Sequence, residues 1–256
     1  MPEALAPAPK VAAPPPPDPR GRPTVHLLHI RKTAGTALKH ALEPFAAEGT
    51  TQFALRLCGH PVRLEHVPPG DMVAFTLRDP VDRFVSGFLS RLRQGRPRHD
   101  YPWTPAEAEA FARFPTPEAL ALAVEADDPD RRAAALRAMR RIGHVNSRQW
   151  DWFGDRAALR ARLDAVIWVG RRERLDRDFP RLCAALGLPE GVALPDDPVA
   201  AHRNPEGPEA VISEAAAAIL TRWYRRDFGL LEFCERRLGL APADRPPDWR
   251  RRLEGG

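Results

Sequence analysis

Short apolar runs in this chain are followed almost at once by apolar residues at helical spacing. The run at 24–30 leads through the polar turn RKTAGT into a helical pattern that ends near Gly49. The run at 72–77 leads into a helical pattern over 80–93, with Asp79 suited to the N-cap and a proline at the first helical position. Strands that alternate with amphipathic helices favour an α/β fold, with a mainly parallel sheet covered by helices on both faces.

The remaining elements follow from the same periodicities. Pro180 lies inside one helical pattern and predicts either a kink or a later start of that helix. A long amphipathic helix near the carboxyl end has Gly229 as its candidate break. These further elements are strands at 51–57 and 164–170, helices at 174–187 and 209–239, a loop at 202–208 and proline-broken helices across 94–163.

Length and composition predict a single α/β domain with a tail at each end. Residues 1–23 are rich in proline and alanine and indicate a disordered tail, 24–240 indicate the folded domain, and 241–256 indicate a shorter tail. No apolar run is long enough for a membrane span, and the start lacks a signal-peptide pattern. The three cysteines are widely spaced and predict neither a disulfide framework nor a zinc site, so the expected location is the cytoplasm.

The net charge is modestly positive, with 39 basic against 34 acidic side chains, or +5. That excess fits an anionic ligand. The arginines are mixed with acids along the chain and no basic stripe interleaves with aromatic residues, so nucleic acid is not the expected partner. Only three of the 39 basic residues are lysines, and one of them, Lys32, lies in the turn between the first strand and the first helix.

This turn has the features of a phosphate-binding loop. A strand that leads through a glycine-bearing turn into a helix presents free backbone N–H groups and the positive end of the helix dipole. The phosphate-binding pattern GxxxxGK[ST] is not matched, because the lysine precedes the glycine and the first glycine is missing. The alternative is an ordinary capped helix with a surface lysine. The candidate loop residues are Arg31, Lys32, Thr33, Ala34, Gly35, Thr36 and Ala37.

A second candidate group follows the run at 72–77. Arg78 ends this predicted strand, and open α/β sheets bind ligands at the carboxyl ends of their strands. Ser86 lies off the apolar stripe of the next helix, and a guanidinium with a nearby hydroxyl can hold a second phosphate. The alternative is that Arg78 pairs with Asp82 and that Ser86 is solvated.

Together these motifs resemble a known enzyme family. HIRKTAGTAL at 29–38 resembles the 5′-phosphosulfate loop of sulfotransferases that use 3′-phosphoadenosine 5′-phosphosulfate (PAPS), and RDPVDRFVSGF at 78–88 resembles their 3′-phosphate element. The similarity is to the carbohydrate branch, heparan sulfate 2-O-sulfotransferase and its bacterial relatives, whose fold is P-loop-like (nucleotide-kinase-like). Weaker matches are GH at 59–60, NSRQW at 146–150, VIWVGRRERLDRDF at 166–179, HRN at 202–204 and RRDFGLLEF at 225–233.

The resemblance implies a role for each matching residue. Lys32 would contact the 5′-phosphosulfate and stabilise charge on the departing phosphate, with the rest of the 31–37 loop supplying donors. Arg78 and Ser86 would hold the 3′-phosphate, and Arg203 would also contact the cofactor. The chain departs from the family at three positions, with Arg31 in place of proline and with Phe228 and Phe233 in place of tyrosine.

His60 is the candidate general base for the acceptor hydroxyl. It follows the strand at 51–57 and can lie at the same sheet edge as the loop, and imidazole suits proton transfer at neutral pH. The family has a catalytic histidine in a similar Gly-His context. Fallback candidates are His66, Glu65 and His29, whereas His26, His40, His99 and His144 are interpreted as structural or solvated.

The sequence therefore predicts sulfuryl transfer from PAPS to a hydroxyl on a carbohydrate or glycolipid. No metal is predicted, because a sulfuryl group carries less charge than a phosphoryl group and no acidic pair or HxxxH is present. Two alternatives stay open: an ATP-dependent small-molecule kinase, which would need Mg²⁺, and a nucleotide-binding interaction protein without turnover. The sequence predicts no oligomeric state.

Overall fold

Four short strands form one sheet in the order β2-β1-β3-β4, and every neighbouring pair is parallel. This computed structural model describes residues 18–48, 52–196 and 210–242. The strands are β1 (Thr24–Leu28), β2 (Ala54–Leu57), β3 (Met72–Leu77) and β4 (Val166–Arg171). Because all four run the same way, their carboxyl ends meet at one edge of the sheet.

Helices flank this sheet, so the described part of the chain has the predicted α/β class. The α-helices are α1 (Gly35–Glu48), α2 (Pro80–Leu92), α3 (Pro105–Arg113), α4 (Pro117–Ala123), α5 (Pro129–Arg141), α6 (Arg156–Arg160), α7 (Leu175–Ala185), α8 (Glu214–Trp223) and α9 (Arg225–Leu238). Short 3₁₀ turns lie at Leu64–His66, Gln149–Trp152, Leu163–Ala165 and Arg172–Arg174. None of the described helices is both long and apolar enough to cross a bilayer.

Each face of the sheet has its own apolar core. On one face, α1 and α7 pack against the strands through residues such as Leu42 and Phe179. On the other face, the turn at Gln149–Trp152 packs with α6 and α9, and Trp150 and Leu230 are both buried there. A third cluster joins α2 to α3, α4, α5 and α8 beside the sheet. Burial on both faces explains why the strands have near-continuous apolar sequences.

The local predictions around α2 and in the 94–163 region are confirmed. The strand at 72–77 has the predicted bounds, and Asp79 caps α2 by accepting hydrogen bonds from the backbone N–H groups of Val81 and Asp82. In the 94–163 region, three prolines mark helix starts, because each occupies the first position of α3, α4 or α5.

Two helix boundaries differ from what the sequence allowed or predicted. Of the two outcomes predicted for Pro180, the later start does not occur: α7 begins at Leu175 and contains the proline. Asp178 holds the turn before it, because its carbonyl accepts from Trp168 Nε1 and its carboxylate from Arg171 N. The helix near the carboxyl end breaks at Tyr224 and not at Gly229. Tyr224 is fully buried, and its hydroxyl donates to the Val145 carbonyl, so a long-range contact decides the break. The predicted loop at 202–208 and most of both predicted tails lie outside the described residues.

Candidate active site

The three groups predicted for the site lie at the carboxyl ends of three adjacent strands. The 31–37 loop follows β1, His60 follows β2, and Arg78 follows β3. Strand β1 lies between the other two, so the loop is flanked by the histidine on one side and the arginine on the other. This is the edge at which parallel α/β sheets bind ligands.

The loop after β1 has an uncommon backbone. Lys32 and Ala34 have φ angles of 65° and 74°, a left-handed conformation that side chains other than glycine seldom adopt. Thr33 fixes the loop between them, because its buried hydroxyl donates to the Ile30 carbonyl at 3.0 Å and lies 3.1 Å from Thr76 Oγ1. The Thr33 hydroxyl was predicted to be a loop donor, and it is already used inside the protein.

The start of α1 leaves backbone donors at the end of this loop. The first bond into the helix runs from Leu38 N to the Ala34 carbonyl at 3.2 Å, so the N–H groups of the first helical residues have no carbonyl within the helix. As predicted, Gly35 permits another group to come close to its backbone, but that group is the His29 side chain. A Cβ on Gly35 would lie 2.2 Å from His29 Cδ2, so a larger residue would displace that ring.

Lys32 lies in a strongly positive environment. Burial and the charges of Arg78 and Arg93 lower the pKa of its ammonium from 10.5 to about 7. Within the described ranges, no carboxylate makes an ion pair with Lys32 or Arg78. An anion bound here would supply the missing countercharge, and that is the electrostatic character of an anion site.

Arg78 links the two neighbouring strand ends. Its guanidinium donates from Nη1 to the Lys32 carbonyl at 3.4 Å and does not pair with Asp82. Its Nε is buried and has no hydrogen-bond partner among the described residues. A buried donor without a partner costs about 1–3 kcal/mol, so this atom is a candidate ligand contact.

The backbone at Arg78 is clamped by side chains that come from elsewhere in the chain. The Gln149 amide accepts from Arg78 N at 2.9 Å and donates to the Arg78 carbonyl at 2.8 Å. Glu173 accepts from Asp79 N at 2.8 Å. Gln149 is itself fixed by Asp227, a fully buried carboxylate that accepts from Gln149 N at 3.0 Å.

Sequence reasoning assigned no role to Gln149, Glu173 or Asp227. All three lie in the stretches that carry the weaker matches, so the resemblance could have drawn attention to them. Spacing could not have revealed the clamp, because the bonds from the Arg78–Asp79 backbone join residues 71 and 94 positions apart.

His60, the candidate base, has one ring nitrogen bonded to the backbone. Its Nδ1 lies 2.9 Å from the His29 carbonyl, which fixes Nδ1 as the donor and leaves the Nε2 lone pair available to accept a proton. The two histidine rings are also in contact, with centroids 3.9 Å apart and planes tilted by 36°. Burial lowers the pKa of His60, and the charges of Arg31, Lys39 and Lys32 add to that shift. The imidazole is therefore neutral near pH 7.

The fallback bases are less well placed than His60. His66 Nδ1 accepts from Arg63 N at 3.0 Å within its own 3₁₀ turn, and the Glu65 side chain is 71% exposed. His29 is buried, and its carbonyl and ring support His60. His26, interpreted as structural, is buried and bonded to Asp71 at 2.8 Å.

The other predicted cofactor residues differ in how the structure places them. Arg31 is half-buried with an unpartnered Nε among the described residues, and burial lowers its pKa. Ser86 is buried in α2. Thr36 and Ala37 lie in the first turn of α1. Arg203 lies outside the described residues, and the ligand contacts of all these residues stay predictions.

His144, interpreted from the sequence as structural or solvated, has an environment that the charged groups of this site influence. It follows α5 in a left-handed conformation, with φ at 66°. Burial lowers its pKa to about 2, and the next largest contributions to this shift are the charges of Lys32, Arg31 and His60. No sequence motif marks His144, so only the fold could bring it to the loop.

In the described part of the chain, no cluster of three or more His, Cys, Asp or Glu side chains could hold a metal ion. No protein-family model matches the sequence, and no curated protein is found as a relative. The candidate site therefore stands on its own geometry at one sheet edge: an ammonium without an ion-pair partner in the described ranges, a guanidinium on a clamped backbone and an imidazole whose Nδ1 is bonded to a backbone carbonyl.

Proposed function

We propose that residues 24–240 form a PAPS-dependent sulfotransferase with a P-loop-like fold. The acceptor would be a hydroxyl of a carbohydrate or glycolipid. The observation that carries the proposal is the half-buried ammonium of Lys32, which has no carboxylate partner among the described residues and lies close enough to Arg78 for that charge to lower its pKa. The charge of Lys32 in turn lowers the pKa of His60. Such a site favours an anionic donor group next to a base.

The residues present fit the two phosphate positions of PAPS. Lys32 and the N–H groups that begin α1 suit the 5′-phosphosulfate, because both direct positive charge at one point. Arg78 suits the 3′-phosphate, since its Nε lacks a partner and its backbone is held by Gln149 and Glu173. A fixed guanidinium can distinguish a phosphate by position.

Each catalytic role follows from the environment of one side chain. PAPS would supply an activated sulfuryl group. His60 Nε2 takes the proton of the acceptor hydroxyl, because Nδ1 is committed to the His29 carbonyl. Lys32 stabilises the charge that develops on the leaving phosphate, and its compact ammonium follows that charge better than a rigid guanidinium.

The two alternatives predict different ligands. A kinase needs a carboxylate for Mg²⁺, yet Asp79 caps α2 and Asp71 bonds to His26. A nucleotide-binding interaction protein would bind adenosine 3′,5′-bisphosphate (PAP), the product of PAPS, and show no turnover.

Calorimetry with PAP, AMP and ATP, with and without Mg²⁺, tests the nucleotide class. We expect PAP to bind much more tightly than AMP or ATP without need of Mg²⁺. Charge-assisted bonds are worth about 1.5–3 kcal/mol, so Arg78→Ala should weaken PAP by about ten- to a hundredfold and leave AMP little changed. Arg98→Ala, which removes an exposed guanidinium, is the matched control. Equal losses for both nucleotides would remove Arg78 from the 3′-phosphate.

A second measurement separates the enzyme from a binding protein. Labelled PAPS is incubated with a panel of bacterial polysaccharides and glycolipids, and sulfated product and free PAP are measured. Transfer to a hydroxyl supports the proposal. Tight PAP binding without any cleavage of PAPS would favour the interaction protein instead.

A further inference from the structure

The backbone of His144 is held in place by a buried arginine. Arg83, which is 1% exposed, donates from Nη1 to the His144 carbonyl at 3.0 Å and from Nη2 to the Ser147 carbonyl at 2.5 Å. His144 keeps its left-handed φ under this restraint. Such conformations cost free energy and persist where the surroundings enforce them, often at functional sites.

Left-handed backbone occurs both in the candidate loop and at His144. Besides glycine, the described residues with positive φ angles are Lys32, Ala34, Gln94 and His144. His144 lies against Gly87 of α2, next to the predicted cofactor residue Ser86. The charge of Lys32 also contributes to the shift in the pKa of His144, which agrees with that position.

The imidazole of His144 has an unused polar atom. Its Nδ1 is buried and makes no hydrogen bond with any described residue. His144 lies against α2 through its Cβ and backbone, since a Cβ added to Gly87 would lie 3.1 Å from His144 Cβ. Leaving a buried polar atom unpaired is costly, so a partner supplied by a ligand would stabilise this arrangement.

The charges around His144 keep its ring neutral. Burial opposes its protonation most strongly, and the charges of Lys32, Arg31 and Arg91 add to that effect. A ring in this environment cannot serve as a proton carrier near neutral pH. It can still donate a hydrogen bond, since a neutral imidazole carries one N–H, and neutral histidines of strongly depressed pKa act as electrophiles in this way.

We propose that His144 donates a hydrogen bond from Nδ1 to an oxygen of the sulfuryl group during transfer. This inference rests on the proposed function. In the transfer, the bond between sulfur and the phosphate oxygen breaks, and its electron pair stays on the phosphate next to Lys32. The new bond joins sulfur to the acceptor oxygen, whose proton goes to His60 Nε2, and His144 keeps its own proton throughout.

Two substitutions that suit the left-handed backbone test this role. His144→Gly removes the side chain, whereas His144→Asn keeps an amide N–H close to the Nδ1 position, and both residues adopt positive φ readily. The readouts are PAP affinity and the turnover of labelled PAPS, with water and with any hydroxyl found in the panel as acceptors. His40→Asn, at an exposed position on α1, is the control.

We expect His144→Gly to lower turnover by about a hundred- to a thousandfold, the usual effect of losing one transition-state donor. Its PAP affinity and the acidic limb that His60 gives to the pH–rate profile should be unchanged. His144→Asn should recover at least about tenfold of the loss on the same scale. Normal turnover in His144→Gly would overturn the inference and leave the proposed function standing, as would an equal loss of PAP affinity in both variants.

A measurement on the parent chain does not depend on whether a variant folds. In ¹⁵N-histidine NMR, the His144 signals should stay those of a neutral ring across about pH 5–8, the range in which ordinary histidines titrate. Its Nδ1 signal should move with PAPS and not with PAP, and the absence of that difference would overturn the inference. A parent that neither binds PAP nor cleaves PAPS would instead refute the proposed function itself.

Discussion

The two strand–helix junctions of the candidate site are neighbours in the sheet and are held in opposite ways. The β1–α1 junction has left-handed Lys32 and Ala34 and an ammonium without an ion-pair partner among the described residues. At the β3–α2 junction, Gln149 and Glu173 bond to the backbone, and Asp79 caps the helix. One junction has a left-handed backbone and an ammonium without an ion-pair partner in the described ranges, whereas the backbone of the other is held by hydrogen bonds.

This difference indicates that the two junctions have different functions in the candidate site. A rigid guanidinium can recognise where a phosphate lies, and that requires a fixed backbone at Arg78. An ammonium such as that of Lys32, which stabilises charge as it develops on the ligand, must have no ion-pair partner before the ligand binds. Leaving it unpaired lowers the stability of the free protein. Substitutions at the two junctions should therefore have different effects on stability and on turnover.

The largest effect should come from a change that leaves both junctions intact. His60→Ala should lower sulfation of any accepted hydroxyl by at least about a hundredfold, because losing a general base typically costs 10²–10⁴-fold in rate. PAP affinity should stay close to that of the parent chain. The acidic limb of the pH–rate profile, measured alongside, should be absent from the residual activity. Parental activity with an unchanged limb would move the base to Glu65 or His66.

Lys32→Asn should separate activity from stability at the strained junction. Turnover should fall by about a hundred- to a thousandfold, because charge on the leaving phosphate loses its stabilising ammonium. The free energy of unfolding should rise, since asparagine suits positive φ and the substitution removes a half-buried charge close to other cations. About 1 kcal/mol would raise Tm by about 2–4 °C in a chain of this size.

Lys32→Arg separates binding from turnover at the same junction. Relative to Lys32→Asn, it should restore PAP affinity more fully than turnover, because arginine keeps the charge and lacks the compact ammonium. Binding and rate are measured by calorimetry and by release of PAP. A Lys32→Asn variant with normal turnover would return Lys32 to the alternative of an ordinary surface lysine.

Gln149→Leu should lower both the stability of the protein at the β3–α2 junction and its affinity for PAP. It leaves Arg78 N and the Arg78 carbonyl without partners, and each such buried group costs about 1–3 kcal/mol. Denaturant unfolding should show that loss, and calorimetry should show weaker PAP binding. Gln149→Glu retains the acceptor for Arg78 N and should lose less. Parental stability in Gln149→Leu would show that the clamp does not support the junction.

The last comparison concerns pH. The pKa of Lys32 is about 7 in the folded chain against 10.5 as the ordinary value, so above pH 7 the unfolded chain binds more protons there. The free energy of unfolding of the parent should therefore rise between about pH 7 and 10 relative to that of Lys32→Asn. An equal pH dependence in both chains would contradict the low pKa.

The same shift predicts proton uptake on binding. A bound phosphate raises the pKa of Lys32 again, so PAP binding near pH 8 should take up protons. Calorimetry in Tris and HEPES, whose ionisation enthalpies differ, would detect that uptake. Equal apparent enthalpies in the two buffers would mean that the ammonium stays charged in the free protein.

The sequence by itself determined the features that depend on neighbours along the chain. Periodicity predicted the strand at 72–77 and the helix after it, and the pair Asp79–Pro80 marked the start of that helix. The same local patterns placed Lys32, His60 and Arg78 after three strands. Because parallel strands end at one edge, that placement was enough to bring the three side chains to one region.

Only the tertiary structure decided what those side chains contact. The clamp on Arg78, the break at Tyr224 and the position of His144 each depend on bonds or charges between residues far apart in sequence. The Thr33 hydroxyl is likewise used by Thr76 on a neighbouring strand. The spacing of residues along the sequence does not reveal such pairs. A buried polar group bonds to whichever partner the packed chain brings within hydrogen-bond distance.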